Sequence, residues 1–299
     1  MQIGELIAEG EARLEKAGVQ FGQGTLNAWD EARWLTLDAL RLPVDSPLEV
    51  EEESVDEAGI EHVRKVITRR IDDREPAAYI TGIAWLKGYA FHVDQRVIIP
   101  RSFLAEVVLD QAYPWVRRPD EVHRVLDLCT GSGCLAIMAA DAFPQAQVVA
   151  SDLSADALDV AQKNIAEYRL ESRINLIASD VFDKIAGRFD LILSNPPYVP
   201  PARQAELPRE FLREPTMALI AADHGMAIVR QILAQAHRYL NPQGLLIVEV
   251  GHEKDACEAL CAAEFSGLPL TWLHTEEQED KLFLVDAATL QSHPWRPPS

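Results

Sequence analysis

The order of apolar segments after about residue 101 is the feature that most limits how this chain can fold. Short, continuously apolar runs alternate there with segments whose apolar residues recur at helical spacing. Continuous apolar runs are typical of strands buried on both faces, as in a parallel sheet covered by helices. We count seven runs, at residues 125–128, 148–151, 174–178, 191–193, 245–250, 270–273 and 282–285. The last two have no helix between them, which predicts an antiparallel edge hairpin.

The chain before residue 101 follows different periods. Apolar residues recur at helical spacing up to residue 75, as in Ile60, Val63 and Ile67, which predicts a small helical domain. Residues 76–100 shorten into two strand-like pieces on either side of Lys87 and Gly88, and we expect a hairpin that links the domains. The α/β domain is then expected over residues 101–288, followed by a tail at 289–299 whose residues 294–298 are expected to be disordered or lightly packed.

The acidic composition bears on possible partners. Asp and Glu number 47 against 28 Lys and Arg, for a formal net charge of -19. Such a surface repels phosphate backbones and attracts basic proteins, so a nucleic-acid substrate is disfavoured. The acidic run at residues 49–53 is interpreted as solvated surface.

Targeting signals and metal-binding patterns are not apparent in the sequence. The N-terminus lacks a basic start followed by an apolar core, and no stretch has the apolar length of a membrane span. A cytoplasmic protein with no membrane partner is expected. The four cysteines and eight histidines form neither a disulfide framework nor a zinc-like spacing, so no metal is expected.

A glycine turn follows the first predicted strand of the α/β domain. Gly131 and Gly133 permit a close ligand approach, and the helix that begins there offers free backbone N–H groups. A dinucleotide fingerprint would carry a third glycine where Ala136 stands, so a dehydrogenase is disfavoured. The turn predicts a binding site for a small ligand.

Acidic residues end the next two predicted strands. Asp152 lies about twenty residues beyond the first glycine, where a carboxylate reaches the two hydroxyls of a ribose. Asp180 is placed to accept a hydrogen bond from an adenine amino group, with Val181 beside the ring. Each aspartate alone could equally be a helix cap or a turn residue. Together they predict an adenosine site.

This arrangement resembles the class I S-adenosylmethionine-dependent methyltransferase fold. The resemblance implies a Rossmann-like, seven-stranded, mostly parallel sheet with an antiparallel last strand. It also implies S-adenosylmethionine as methyl donor and S-adenosylhomocysteine as product. The predicted cofactor-binding residues are Asp127, Thr130, Gly131, Ser132, Gly133, Asp152, Leu153, Asp180, Val181 and Asn195.

The tetrapeptide 195–198 follows the fourth predicted strand, where open α/β sheets place their ligands. The Asn195 side chain and the Pro196 carbonyl can both accept hydrogen bonds from a substrate amino group. Tyr198 offers a flat wall for a planar amide or base. Methyl transfer to such a nitrogen requires that the nitrogen is aligned with the methyl group and that the positive charge developing on the nitrogen is stabilised. The nitrogen does not have to be deprotonated beforehand. The predicted catalytic residues are Asn195, Pro196, Pro197 and Tyr198.

Further segments narrow the family. Residues 97–102, the glycine turn and residues 213–215 together resemble the protein-(glutamine-N5) methyltransferase family, whose members modify release factors or a ribosomal protein. Residues 22–32 and Trp85 are similar to the branch that acts on large-subunit ribosomal protein L-three. The resemblance implies methylation of a glutamine in that protein. Methylation of a release factor, adenine methylation of nucleic acid and a non-enzymatic adenosine sensor are the alternatives.

Two regions have less defined roles. We expect the helical domain to recognise the protein substrate, from its position beside a compact catalytic domain. Residues 220–225 depart from the glycine-richer turn usual in the family, which leaves the conformation of that loop open. His224 is interpreted as a turn residue, with a catalytic role as the alternative.

Overall fold

The computed structural model describes residues 1–276 and 279–297. The chain divides into two compact units, which we call unit 1 and unit 2. Unit 1 contains Met1–Gln95, Ile99–Arg101 and Leu207–Glu214. Unit 2 contains Arg96–Ile98, Ser102–Glu206 and the chain from Pro215 onwards.

Unit 1 is mostly helical, as predicted. Its regular elements are α1 (Ile3–Ala17), α2 (Ala28–Ala39), 3₁₀ helices at Leu48–Glu52 and Phe211–Arg213, α3 (Glu57–Asp72), α4 (Ala77–Thr81), β1 (Ile83–Leu86) and β2 (Tyr89–His92). Side chains cap two helices: Asn27 accepts from the Asp30 N–H at 2.9 Å, and Asp56 accepts from the Gly59 N–H at 2.8 Å.

The core of unit 1 combines an apolar cluster with a buried ion network. The cluster contains Ile3, Ile7, Leu14, Val19, Ala28, Ala32 and Leu37. Arg70 is almost fully buried, and its guanidinium lies 2.7 Å from a Glu31 oxygen and 3.3 Å from a Glu210 oxygen. Burial raises the pKa of Glu31, while Arg70 opposes the rise. Without Arg70, the carboxylates of Glu31 and Glu210 would be buried without a cationic partner, which is destabilising. The ion pairs therefore favour the packing of α3, which carries Arg70, against α2, which carries Glu31.

The hairpin predicted between residues 76 and 100 is present. β1 and β2 pair antiparallel, with Trp85 opposite Ala90, and both strands belong to unit 1. Two segments singled out in the sequence also meet in unit 1, since the Arg101 guanidinium donates to both carboxylate oxygens of Glu214 at 2.6 and 2.7 Å. This bidentate pair joins residues that are far apart in the chain.

Unit 2 alternates strands and helices. Its elements are α5 (Leu104–Leu109), a 3₁₀ helix at Pro119–Glu121, β3 (Arg124–Leu128), α6 (Cys134–Ala142), β4 (Gln147–Asp152), α7 (Ala155–Glu167), β5 (Ile174–Ala178), β6 (Phe189–Ser194), a 3₁₀ helix at Pro201–Glu206, α8 (Thr216–Leu219), α9 (Ala227–Tyr239), β7 (Leu240–Glu249), α10 (Lys254–Glu264), β8 (Thr271–His274), β9 (Glu279–Asp286) and α11 (Ala287–Ser292).

The strands of unit 2 form one seven-stranded sheet in the order β5-β4-β3-β6-β7-β9-β8. β3 to β7 pair in parallel, whereas β9 is antiparallel to both β7 and β8. The predicted α/β class, with an antiparallel last strand, is therefore confirmed. β7 begins at Leu240, earlier than the predicted run, because its first residues continue the pairing with β6 beyond a register shift.

The end of the chain lies on unit 2. The Trp295 indole N–H donates to Glu264 at 2.9 Å, and the Arg296 backbone N–H donates to the Glu264 carbonyl at 2.7 Å. The described part of the predicted tail is thus hydrogen-bonded to α10, and residues 298–299 lie outside the described residues. Over the described part of the chain, every helix is too short or too polar to span a bilayer.

Candidate active site

A cavity of about 310 Å³ opens at the carboxyl ends of β3, β4, β5 and β6, entirely within unit 2. Its volume lies in the range of small-molecule sites. The sequence-predicted residues that line it are Gly131, Asp152, Leu153, Asp180, Val181, Asn195 and Pro197. Residues from three strand ends and from the tetrapeptide thus come together at one site.

The glycine turn after β3 has the backbone conformation that glycine favours. Gly131 has φ +55° and Gly133 has φ +80°. A Cβ on Gly133 would lie 3.1 Å from the Cβ of Ala161 on α7, so the turn also lets α6 and α7 pack closely. The backbone of Gly131 is left facing the cavity.

Asp152 is fixed by two backbone donors. The Gly131 N–H donates to one carboxylate oxygen and the Ser154 N–H to the other, both at 2.9 Å. Burial raises the pKa of Asp152, and these two N–H groups oppose the rise. Each oxygen keeps further acceptor capacity, so this carboxylate can receive two hydroxyl hydrogens from a ligand.

Asp127 occupies a different position from the one its predicted role suggests. It is buried below the turn, where one carboxylate oxygen accepts from the Thr130 hydroxyl at 2.5 Å. Its other oxygen has no hydrogen-bond partner among the described residues. Burial raises the pKa of Asp127 to about 7. Four predicted cofactor-binding residues support the turn and are absent from the described lining of the cavity: Asp127, Thr130, Ser132 and Gly133.

The end of β5 supplies a polar and an apolar group. Asp180 is exposed and lines the cavity, and Val181 is buried with φ +43°. The Ser179 hydroxyl donates to the Val181 carbonyl at 3.1 Å, which holds this unusual backbone conformation. An acceptor beside an apolar side chain suits a flat ring with an exocyclic amino group.

The tetrapeptide begins where β6 ends. Asn195 and Pro197 line the cavity. Pro196 is buried and Tyr198 half-buried, and neither is among the described lining residues. The Tyr198 hydroxyl donates to an oxygen of Glu249 at 3.2 Å. Two glycines pack against Tyr198: a Cβ on Gly225 would lie 2.0 Å from its carbonyl oxygen, and a Cβ on Gly251 would lie 2.6 Å from its ring.

Glu249 is a site residue that sequence reasoning missed. It is buried at the carboxyl end of β7, where the Ser102 hydroxyl and the Phe103 N–H donate to its second oxygen at 2.5 and 3.0 Å. An acidic residue inside the apolar run 245–250 was the available signal, because a carboxylate is buried only where donors meet it.

Part of the remaining wall comes from segments that the sequence marked only by family resemblance or not at all, among them Arg96, Val97, Ile98, Pro215, Met217 and Ile228. Ile220, Ala221 and Ala222 of the loop 220–225 also line the cavity. The chain after α8 returns to the tetrapeptide, since the Val199 N–H donates to the Leu219 carbonyl at 2.9 Å and the Ala221 N–H to the Val199 carbonyl at 3.0 Å. Asp223, His224 and Gly225 have consecutive positive φ values. His224 is exposed and does not line the cavity.

These groups fit S-adenosylmethionine. The backbone at Gly131 is open to close approach, Asp152 can accept from a ribose, and Asp180 with Val181 can receive an adenine. Arg96 is the one cationic side chain among the described lining residues. Residues 1–276 and 279–297 contain no cluster of His, Cys, Asp or Glu suited to a metal ion.

Comparisons with known proteins give the same assignment. The family model "Methyltransferase small domain" matches residues 115–221. A Bordetella pertussis protein named ribosomal protein uL3 glutamine methyltransferase is 46% identical over 289 residues, which is 96% of each chain. The protein of that name from Burkholderia pseudomallei is 44% identical, over 96% of this chain and 95% of its own length.

Among solved structures, the hMettl16 catalytic domain in complex with MAT2A 3'UTR hairpin 6 aligns with a TM-score of 0.52. The identity is 14%, over 77% of this chain and 81% of that chain, so this likeness shows the fold alone. The sequence relatives show more, because their identity extends over nearly the whole chain. This chain belongs to the ribosomal protein uL3 glutamine methyltransferase family, and S-adenosylmethionine is its methyl donor.

Proposed function

We propose that this protein transfers a methyl group from S-adenosylmethionine to the side-chain amide nitrogen of a glutamine in ribosomal protein uL3. The observation that carries the proposal is the position of Asn195, which lines the same cavity as Gly131 and Asp152. An amide acceptor beside an adenosine site is the arrangement that methylation of a planar nitrogen needs.

Asn195 and Pro196 act as the acceptors for the substrate amide. The Asn195 side-chain carbonyl and the Pro196 backbone carbonyl take its two N–H groups. Because the lone pair of an amide nitrogen is delocalised, these acceptors stabilise the positive charge that develops as the nitrogen is methylated. They also hold the nitrogen in line for attack, and orientation of this kind contributes up to about 7–11 kcal/mol in favourable cases.

Tyr198 and Glu249 position the tetrapeptide. The ring of Tyr198 forms a wall for the planar amide, and Glu249 fixes that ring through its hydroxyl. Gly251 lies close against the ring, since a Cβ there would be only 2.6 Å away.

The donor is held by backbone and carboxylate groups. Asp152 accepts from the ribose, Asp180 accepts from the adenine amino group, and the Gly131 backbone and Leu153 form adjoining walls. When bound, S-adenosylmethionine would supply a methyl group on a positively charged sulfur. The amide nitrogen gains this methyl group and releases one of its two protons to water, the C–S electron pair stays on the sulfur, and S-adenosylhomocysteine is the product. Asp127, Thr130, Ser132 and Gly133 act indirectly, by fixing the turn.

Charge supports a basic protein as acceptor. A net charge of -19 favours encounter with a basic protein and opposes binding of nucleic acid. Unit 1 is the substrate-recognition part of the chain in this proposal. A protein that modifies ribosomal proteins acts where they are assembled, so a cytoplasmic location without membrane partners is part of the same proposal.

Replacing Asn195 with Ala tests the function. Purified protein is incubated with labelled S-adenosylmethionine and purified uL3, and the methylated residue is located by mass spectrometry. We expect one glutamine of uL3 to be methylated by the wild type, and the N195A turnover to be lower by about 10²–10³-fold with donor affinity nearly unchanged. Asn175→Ala, at an exposed position on β5, is the matched control.

Parallel reactions distinguish the alternatives. A release factor and nucleic acid replace uL3 as acceptor, and a nuclease-treated sample is included. Label on nucleic acid, or N195A turnover equal to that of N175A, would contradict the proposal.

A further inference from the structure

Unit 1 carries a groove that the proposed reaction does not use. It has a volume of about 690 Å³, and its apolar walls are Leu26, Trp29, Trp34, Leu48 and Trp85. We call it the tryptophan groove. All of its lining residues belong to unit 1.

Large apolar side chains in this groove are open to solvent. Leu26 is 87% exposed, Leu48 64% and Trp85 40%. Scattered exposed leucines are common in proteins, but several large apolar groups gathered at one concave surface mark a binding site for a partner. Tryptophan is also among the residues enriched at the energetically important centres of such interfaces.

The first wall of the groove is held rigidly. Gly24 has φ +122°, and a Cβ there would lie 3.2 Å from the Trp34 ring, so this glycine lets the backbone rest on the indole. The Thr25 hydroxyl donates to Glu31 at 2.7 Å, and Glu31 is paired with the buried Arg70. The segment that presents Leu26 is thereby connected to the core of unit 1.

The second wall is organised by Arg33. Its guanidinium donates to the carbonyls of Val44 and Ser46 at 3.0 and 2.6 Å and to a Glu51 oxygen at 2.9 Å. These bonds hold the segment that presents Leu48. The Glu51 carboxylate also offsets the positive charge of Arg33, so the groove itself is not basic.

The border of the groove carries acidic residues. Asp30 lines the groove, and Asp45 and Glu49 adjoin the lining residues Val44, Ser46 and Leu48 in the chain. Asp45, Glu49 and Glu52 are exposed, and only Glu51 of the run 49–53 is paired with Arg33. Faces of tryptophan rings bind cations, and carboxylates at the edge add long-range attraction. A run that looks like ordinary solvated surface in the sequence thus lies next to an aromatic groove.

We infer that the tryptophan groove docks a basic segment of the protein acceptor, one that presents Lys or Arg side chains beside an apolar residue. The inference rests on the proposed function, because it identifies the acceptor as the basic ribosomal protein. The apolar residue enters between Leu26, Leu48 and Trp85. The cationic side chains meet the exposed ring of Trp85 and the acidic border, because the Arg33 guanidinium already lies 6.0 Å from the centre of the Trp29 ring and Trp34 is buried. The same charges repel a nucleic-acid strand.

Truncation of groove residues tests the apolar part. The full-length variants Leu26→Ala and Trp85→Ala are compared with Trp115→Ala, since Trp115 in unit 2 is 41% exposed, nearly the same as Trp85. We expect each groove variant to raise KM for uL3 and Kd for its binding at least about fivefold, with kcat, donor Kd and thermal midpoint unchanged. W115A is expected to match the wild type.

Charge reversal tests the acidic border. Glu49→Lys and Glu171→Lys change the net charge equally, and both residues are exposed, but only Glu49 lies in the acidic run beside the groove. We expect E49K to lower kcat/KM for uL3 and to weaken its dependence on salt, while E171K retains both.

The possible outcomes separate the two proposals. If wild type methylates uL3 and the groove variants match their controls in KM and Kd, the groove assignment is wrong and the proposed function stands. If wild type binds uL3 through the groove residues but methylates no glutamine, the proposed function falls and the docking surface stands. If wild type neither binds nor methylates uL3, both are wrong.

Discussion

The hydroxyl of Tyr198 donates a hydrogen bond to the buried carboxylate of Glu249 at 3.2 Å. This bond joins the tetrapeptide after β6 to the end of the neighbouring strand β7. The Ser102 hydroxyl and the Phe103 N–H donate to the other oxygen of Glu249, so both oxygens of the carboxylate are hydrogen-bonded. A residue of the sheet, Glu249, therefore orients the Tyr198 ring, which lies in the same tetrapeptide as the predicted acceptors Asn195 and Pro196.

The Tyr198–Glu249 bond is expected to contribute to turnover. Tyr198→Phe removes a hydrogen bond to a charged group, a loss of about 1.5–3 kcal/mol, so kcat for the protein acceptor should fall roughly tenfold or more while donor affinity is retained. Glu249→Gln should have a similar effect, and the double variant should lose little more than either single one, as a double-mutant cycle measures. Additive losses would show that the two residues act independently.

A side chain at Gly251 should disturb Tyr198. A Cβ there would lie 2.6 Å from the tyrosine ring, in addition to the strain of φ +55°. Gly267→Ala is the matched control, because its φ is +73° and a Cβ would have no neighbour within 4 Å. The backbone strain should cost both variants about 1–2 kcal/mol of unfolding free energy in urea titrations, and G251A should lose more because its Cβ also meets the tyrosine ring. Only G251A should also lose turnover, and equal activity in the two variants would contradict the assigned contact.

Asp152 is expected to control donor affinity. Asp152→Asn keeps one acceptor but loses the charge that orients Gly131 and receives hydroxyl hydrogens, so the Kd for S-adenosylmethionine should rise about 10- to 100-fold. Asp156→Asn, at an exposed position in the first turn of α7, is the control for the loss of one charge. Calorimetry on both variants measures the change, and an unchanged Kd for D152N would remove Asp152 from the donor site.

Burial of Asp127 predicts a pH dependence of stability. Burial, the largest cause, and the nearby Asp152 raise its pKa from 3.8 to about 7, while the Thr130 hydroxyl opposes the rise. Between these values the folded state holds a proton that the unfolded chain has released. The contribution of Asp127 is thus fully present below the lower value and is lost as pH rises through about 7, by at most about 1.4 kcal/mol per pH unit.

Asp127→Asn carries no titrating proton at this position, so its unfolding free energy should fall less than that of the wild type from about pH 5 to about pH 8. Urea titrations of both proteins at each pH measure the difference between their unfolding free energies. The other carboxylates contribute equally to both proteins and therefore cancel in this difference. Parallel pH profiles would show that Asp127 is ionised throughout.

The sequence by itself determined the layers of the fold. Continuous apolar runs such as 245–250 require a sheet covered on both faces, and the period of 3.6 before residue 75 requires helices, because each pattern has one way to bury its apolar side. The glycine turn with Asp152, and the tetrapeptide at Asn195, followed from local chemistry at strand ends. Parallel strands bring such ends to one edge of the sheet whatever the remaining sequence is.

Tertiary structure alone decided which side chains face the cavity and which support it. Asp127 and Asp152 read alike as acids at strand ends, yet one is buried below the turn and the other lines the cavity. Glu249 reaches Tyr198, and Trp85 joins Leu26 in the tryptophan groove, across sequence separations of more than fifty residues. Local sequence carries no record of such pairings, because they depend on strand order and on packing between distant elements.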